Sequence, residues 1–243
     1  MTARRPRVIA GFATRPTRER GARDVAKRLL GQVDKLVIEF DGFGAMPSWA
    51  AHPKIDARVF PDGSPLGSAG KLVAQDFASA EDVIVTVDDD LVIPARLVRF
   101  LLQGLSRLPK KAAVGLHGSE LLEPFTSYVA SRRVIHLSDR LEKDRSVDVI
   151  ATCVMAFRAE SFHSNFREFR FRNMTDLQVA LEMQEQGIER FLLSRPLGWM
   201  NFRGEAQPDS IYRKLLNNDE NQTALARKLL LLKRQSATAP RSW

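Results

Sequence analysis

Asp88-Asp89-Asp90 closes an apolar run, Val83-Ile84-Val85-Thr86-Val87. A β-branched run of this length reads as a buried strand, and α/β sheets bind ligands at the C-terminal ends of their strands. Three adjacent carboxylates repel one another and gain nothing from burial alone. The chemistry that suits them is a hard divalent cation, Mg²⁺ or Mn²⁺, shared with phosphates. The plain alternative is a solvated acidic turn that caps the next helix. Lys71 follows a glycine-bearing loop from Pro61 to Gly70. It is not a Walker loop, because Pro65 stands where the first glycine is required and Leu72 where Ser or Thr is required. A lysine delivered to a helix start suits a diphosphate. A solvated lysine on an ordinary loop is the alternative. Asp176 stands in the first turn of a helix that starts at Asn173-Met174-Thr175. Capping by Thr175 and the helix dipole account for an ionised acid there. A general base aimed at an acceptor hydroxyl accounts for it equally.

The elements that position these groups alternate strand and helix. Arg7 to Ala13 reads as a strand, followed by Thr14-Arg15-Pro16-Thr17-Arg18 and a helix to Leu30. That start puts Thr14, Arg15 and Arg18 at the sheet edge, where arginine clamps phosphate or stacks on a base, or merely solvates a helix start. Val33 to Phe40 reads as a second strand ending in Asp41-Gly42. Asp41 either accepts from a base or ribose or makes an Asp-Gly turn. Ala57 to Phe60 is a short third strand. Ile93-Pro94 opens a helix to Leu105, with Leu97, Phe100, Leu101 and Leu105 on a core face. Further strands are expected at Ala112 to Leu116, Val134 to Leu137, Val147 to Phe157 and Phe191 to Leu193. His117 ends one of them and is either structural or a metal or phosphate contact. Trp199 either packs or covers a sugar.

The fold class this implies is α/β, a single domain whose central sheet is mixed but mostly parallel and flanked by helices. Residues 1–110 form the nucleotide-binding half, 111–205 the acceptor side, and 206–243 the C-terminal helices and tail. The segment Leu225 to Arg234 is basic and apolar, suited to docking on the domain or lying on an anionic bilayer.

The chain has 243 residues and is 44% apolar, an ordinary core. Its single cysteine, Cys153, excludes an internal disulfide and an all-cysteine metal site, and its apolar surroundings suit a small core residue. The net charge of +8 favours anionic partners. Basic residues are not interleaved with aromatics, and no zinc-finger or RNP signature occurs, which leaves nucleotide phosphates or a membrane surface rather than nucleic acid. No secretory leader or membrane span is read. The expected location is the cytoplasm, with peripheral contact at the inner face of the membrane.

The ordered series Ala13-Thr14-Arg15-Pro16, Gln32-Val33-Asp34, Gly70-Lys71, Asp88-Asp89-Asp90 and Met174-Thr175-Asp176 resembles the GT-A fold of nucleotide-sugar glycosyltransferases, in particular bacterial family-2-like enzymes. The resemblance runs over about residues 7 to 200. It implies transfer of a sugar from a nucleoside-diphosphate donor, UDP-linked by preference, to a glycan or lipid-linked acceptor in bacterial surface polysaccharide synthesis. By the same resemblance the acidic triplet is the DxD motif. Asp88 touches the nucleoside, Asp88 and Asp90 hold Mn²⁺ or Mg²⁺, and Asp89 assists. Ala13, Thr14, Arg15 and Asp41 bind the nucleoside, Gly70 and Lys71 meet the donor, and Asp176 is the base of an inverting reaction. Two departures stand out. The late metal-binding histidine of many members is missing, His163 being the last histidine here. The second strand ends in Glu39-Phe40-Asp41-Gly42 rather than an acid-rich turn. Two other readings remain: a nucleotidyltransferase, against which Ala13 to Arg18 carries no glycine, and a non-catalytic nucleotide-binding module.

Overall fold

A computed structural model describes residues 5–204 and 218–238. Its centre is one eight-stranded sheet. The first strands are β1 (Val8–Thr14), β2 (Lys35–Asp41), β3 (Ile55–Phe60) and β4 (Val83–Val87). These four pair in parallel in the order β3-β2-β1-β4, so Thr14, Asp41 and the residues after Val87 all emerge at one edge. Helix α1 (Glu19–Leu30) connects β1 to β2, and β5 (Leu91–Val92) and α2 (Leu97–Ser106) follow β4. The chain continues through β6 (Ala112–Gly115), β7 (Gly118–Leu121), β8 (Arg132–Ile135), β9 (Arg145–Ser146), β10 (Val149–Ile150) and β11 (Val154–Arg158). It ends with α3 (Thr175–Glu185), β12 (Glu189–Leu192), β13 (Asn201–Phe202) and α4 (Glu220–Thr238). The mixed, mostly parallel α/β sheet expected from the sequence is present, with helices packed on its faces.

Period-two alternation explains the layers. Val8, Ala10 and Phe12 of β1 turn to the face covered by Ala22, Val25 and Leu29 of α1 and Leu97 and Leu101 of α2. Ile9 turns to the other face, covered by Leu72, Val73 and Ala74 and by Val179 and Met183 of α3.

Three expectations need correction. Lys71 does not open a helix. It sits inside a 3-10 segment, Gly67–Phe77, and runs of that length are uncommon. The i, i+3 repeat stacks Lys71 and Ala74 as one ridge, and Gly11 of β1 lies against both. A Cβ at Gly11 would collide with the Lys71 carbonyl oxygen. The strand expected from Val147 to Phe157 is broken into β10 and β11 by Ala151-Thr152-Cys153. The break follows from where its polar groups go: Ala151 N donates to His117 O at 2.8 Å, and Thr152 O accepts from Thr86 Oγ1 at 2.7 Å. The helix expected from Pro94 starts at Leu97, because β5 first pairs with β13.

The basic C-terminal helix docks. Ala226 and Leu229 of α4 are buried against Leu177, Ala180 and Leu181 of α3, and Thr223 Oγ1 accepts from Tyr128 N at 2.9 Å. Among the described residues no helix is long and apolar enough to cross a membrane.

Gly11→Ala should lower stability by about 1–3 kcal/mol, since the added methyl overpacks a backbone contact that has no flexible end to yield. Urea unfolding of the variant beside the parent chain measures this. An unchanged midpoint would mean that the 3-10 ridge does not seat on β1 this closely.

Candidate functional site

The sheet edge gathers the polar groups in two clusters. The first is built on β4. Lys71 is only 4% exposed, and its Nζ makes an ion pair with Asp88 Oδ1. The Asp88 side chain is 32% exposed. Burial pulls the Lys71 ammonium down, but Asp88 and Asp176 outweigh this and its pKa is raised, so Lys71 stays charged. Strand β11 runs antiparallel to β4. Its first residues therefore reach the same edge at which β4 ends, and Asp88 N donates to Cys153 O at 2.9 Å.

Thr152, next to Cys153, turns to α3. Both its N and its Oγ1 donate to Asp176 Oδ1, at 2.8 and 2.6 Å. Asp176 is half-buried, and burial raises its pKa against the opposing pull of Lys71 and Thr152. Two donors hold Oδ1, and Oδ2 has no hydrogen-bond partner among the described residues. Thr175 is not the helix cap. Met174 occupies that position without a side-chain bond, and the Thr175 hydroxyl pairs with Ser68 Oγ at 2.7 Å. Burial pushes the Cys153 thiol well above its usual value, and Asp88 and Asp176 add to the effect. It stays a protonated thiol and is no nucleophile, as its core reading implied.

Asp89 faces the other way. It is 3% exposed and accepts from Arg18 Nη1 at 3.3 Å. Burial first, and then Asp88 and Asp90, push its pKa up to about 6 against the pull of Arg18. Thr14 Oγ1 is buried with no hydrogen-bond partner of good geometry, yet it stands close enough to Asp89 to favour the carboxylate. Asp89 is thus a support for Arg18 rather than a surface for a donor. Asp90 lies 3.9 Å from the same guanidinium, and its carbonyl accepts from Arg203 N at 2.7 Å.

The second cluster lies at the ends of β1 and β2. Asp41 is 7% exposed. Its Oδ1 accepts from Ser64 N at 2.5 Å, and its Oδ2 from Arg15 Nε at 3.1 Å. Arg172 stands 3.6 Å from Oδ2 and donates to Ser64 O at 2.8 Å. Arg15 and Asp41 are therefore brought together, next to half-buried Ala13, whereas the Thr14 hydroxyl lies with Asp89. Gly70 serves close approach. A Cβ there would collide with the Glu39 carboxylate, which is fully buried, accepts from Ser64 Oγ at 2.8 Å and has its pKa raised chiefly by burial.

Other candidates are structural. Trp199 packs on Phe100 with centroids 4.4 Å apart. His117 lies 5.2 Å from His136. Burial lowers its pKa to about 4, which keeps it neutral at ordinary pH. A cleft of about 500 Å³ opens at the far end of α3, lined by Asp148, Gln184, Arg190 and Lys233. It is about 12 Å along the helix from Asp176.

The donor chemistry of the edge suits a hard cation within a limit. Asp88 and Asp90 offer carboxylate oxygens, 32% and 17% exposed. Among the described residues no group of three or more His, Cys, Asp or Glu side chains could hold a metal ion. Asp88 is already paired with Lys71, and Asp90 lies near Arg18, so the two acids form no protein cage, and a cation held there would need phosphate and water to complete its shell. Sequence reasoning missed Thr152, Ser64 and Arg172. Only the polar break Ala151-Thr152-Cys153 inside an apolar run could have pointed to the first of them.

No family model matches the chain, and no curated protein matches it. A solved structure similar to it is GalNAc-T7 with UDP, GalNAc and Mn²⁺, at 9% sequence identity and a TM-score of 0.46. The likeness covers 71% of this chain and 39% of that one.

The raised pKa of Asp89 gives a signed expectation. Between about pH 4 and about pH 6 the folded chain holds this proton more tightly than the unfolded chain, so the Asp89 contribution to stability falls as pH rises through that window. The full swing is on the order of 3 kcal/mol. Asp89→Asn should remove that slope and gain relative to the parent as pH rises. Urea titrations at about pH 4 and about pH 7 measure it, and parallel pH curves for the two proteins would refute it.

Proposed function

We propose that the chain transfers a sugar from a nucleoside-diphosphate donor, UDP-linked by preference, to a hydroxyl of a glycan or lipid-linked acceptor, with inversion. The observation that carries this reading is Asp176, held at one oxygen by Thr152, beside the Lys71–Asp88 pair at the edge of a parallel sheet.

In this mechanism the open Oδ2 of Asp176 takes the proton of the acceptor hydroxyl as its oxygen attacks the anomeric carbon. The bond from that carbon to the diphosphate oxygen breaks, and the diphosphate leaves with the electron pair. Burial, which raises the Asp176 pKa, makes it a better proton acceptor than an exposed carboxylate. Thr152 limits that rise and fixes the direction in which the acid points. Lys71 offers fixed positive charge to the leaving diphosphate. Arg15, Arg172 and Asp41 bound the place where the nucleoside would lie. A divalent cation, when bound at Asp88 and Asp90, would neutralise the diphosphate further. The reading includes a role in surface polysaccharide synthesis on the cytoplasmic side of the membrane.

Asp176→Asn should leave UDP binding intact and cut turnover of the donor by about 10²–10⁴-fold. Release of UDP from a panel of UDP-sugars with Mn²⁺ present measures this, and turnover retained in the variant would sink Asp176 as the base. Thr152→Val removes the hydroxyl donor and keeps the backbone N–H. Losing a bond to the charged carboxylate raises its pKa, so the acid limb of the kcat profile should move to higher pH. A limb that stays in place would show that Thr152 does not tune the base.

A further inference from the structure

We propose that the cleft at the far end of α3 binds a small organic oxyanion, a phosphomonoester or a carboxylate, with Arg190 as its counter-charge. This site stands apart from the β4 edge and requires no sugar transfer there.

Five stretches converge on the cleft: the end of β7 from Glu120, Ser146 to Asp148, the end of α3 from Gln184, the start of β12, and Lys233 of α4. Its volume of about 500 Å³ falls in the range of small-molecule sites. The charges around it are unequally matched. Asp148 is buried, and both its oxygens are taken: Oδ1 accepts from Lys233 Nζ at 2.6 Å and Oδ2 from Leu121 N at 2.8 Å. Glu120 serves both Arg133 and Arg145. Arg190 is 7% exposed and makes no ion pair among the described residues. It leans on neutral oxygens instead. Nη2 donates to Gln184 Oε1 at 2.7 Å, and Nη1 makes long bonds of 3.4 and 3.3 Å to Ala180 O and Ile188 O. Nε is buried and has no acceptor.

Neutral carbonyls hold a guanidinium in place but do not balance its charge, and a buried donor without an acceptor is costly. Burial pulls the Arg190 pKa down, and Asp148 opposes this without pairing with it, yet an arginine keeps its proton. An arginine that merely ties β12 to the end of α3 accounts for the bonds to Gln184 and the two carbonyls. It does not account for the orphaned Nε or the missing acid. An oxyanion supplies both an acceptor and the opposite charge, in a form that the planar guanidinium matches. Lys233, whose side chain is 56% exposed, adds a second positive charge to the wall.

The probes are glucose 1-phosphate, glucuronate and neutral glucose, titrated into the full chain by calorimetry. At least one of the two anions should bind, and which of them does tells phosphate from carboxylate; glucose should not. Hydrogen exchange with the bound anion should show new protection at residues 184–190 and 230–233. Arg190→Gln keeps a polar side chain and removes the charge, so anion affinity should fall about tenfold or more. Lys233→Gln, at a solvent-facing position, should weaken the anion about two- to fivefold. Failure of both anions to bind, glucose binding as well as they do, or protection confined to the β4 edge would overturn the proposal. Unchanged affinity in a folded Arg190→Gln would overturn it as well. If that variant does not fold, the exchange map of the parent chain and the Lys233→Gln titration still decide.

Discussion

The arrangement depends on an ammonium buried at the edge of the sheet and a carboxylate above it. Neither charge would be tolerated alone. A buried lysine without a partner would lose its proton, and three adjacent carboxylates without cations would repel one another. Lys71 and Arg18 divide the acidic triplet between the two faces of the sheet: Lys71 takes Asp88 on one side, and Arg18 takes Asp89 on the other. Consecutive residues leaving a strand point to opposite faces, so adjacent acids in the sequence end in different surroundings. One remains accessible, and its neighbour becomes part of the interior.

Strand direction completes the edge. The parallel strands deliver Thr14, Asp41 and Asp88 by their C-terminal ends, the usual place for ligands in such sheets. Because β11 runs against β4, it delivers its beginning to the same place. The second half of the chain thereby contributes Thr152, and through it the orientation of Asp176. A further parallel strand would have brought its far end there, and the Thr152–Asp176 contact would not form.

The sheet was legible in the sequence because β-branched runs bounded by turns are local signals. The acids, Lys71, Arg15 and Asp176 were legible because a charged side chain where a strand or helix begins or ends adds little to the core, and its chemistry stands out. The hydrogen-bond partners were not. Thr152 lies 24 positions from Asp176, and Arg172 lies 108 from Ser64. No short-range pattern encodes contacts that exist only once the chain is folded. The length of the 3-10 segment around Lys71 was hidden for a similar reason, since it is tertiary packing on Gly11 that holds Lys71 and Ala74 as one ridge. Asp89 shows the opposite case: three identical residues in a row carry no information about which of them is buried.

Helix α4 lies far from the acidic edge, yet it touches the element that carries Asp176. Ala226 and Leu229 cover Leu177, Ala180 and Leu181, and Lys228 reaches Glu185 at 3.3 Å. The C-terminal helix therefore acts as a buttress. A cut in the chain ahead of Glu220 would strip the outer side of α3, expose its apolar residues to water, and loosen the very turn from which the carboxylate projects.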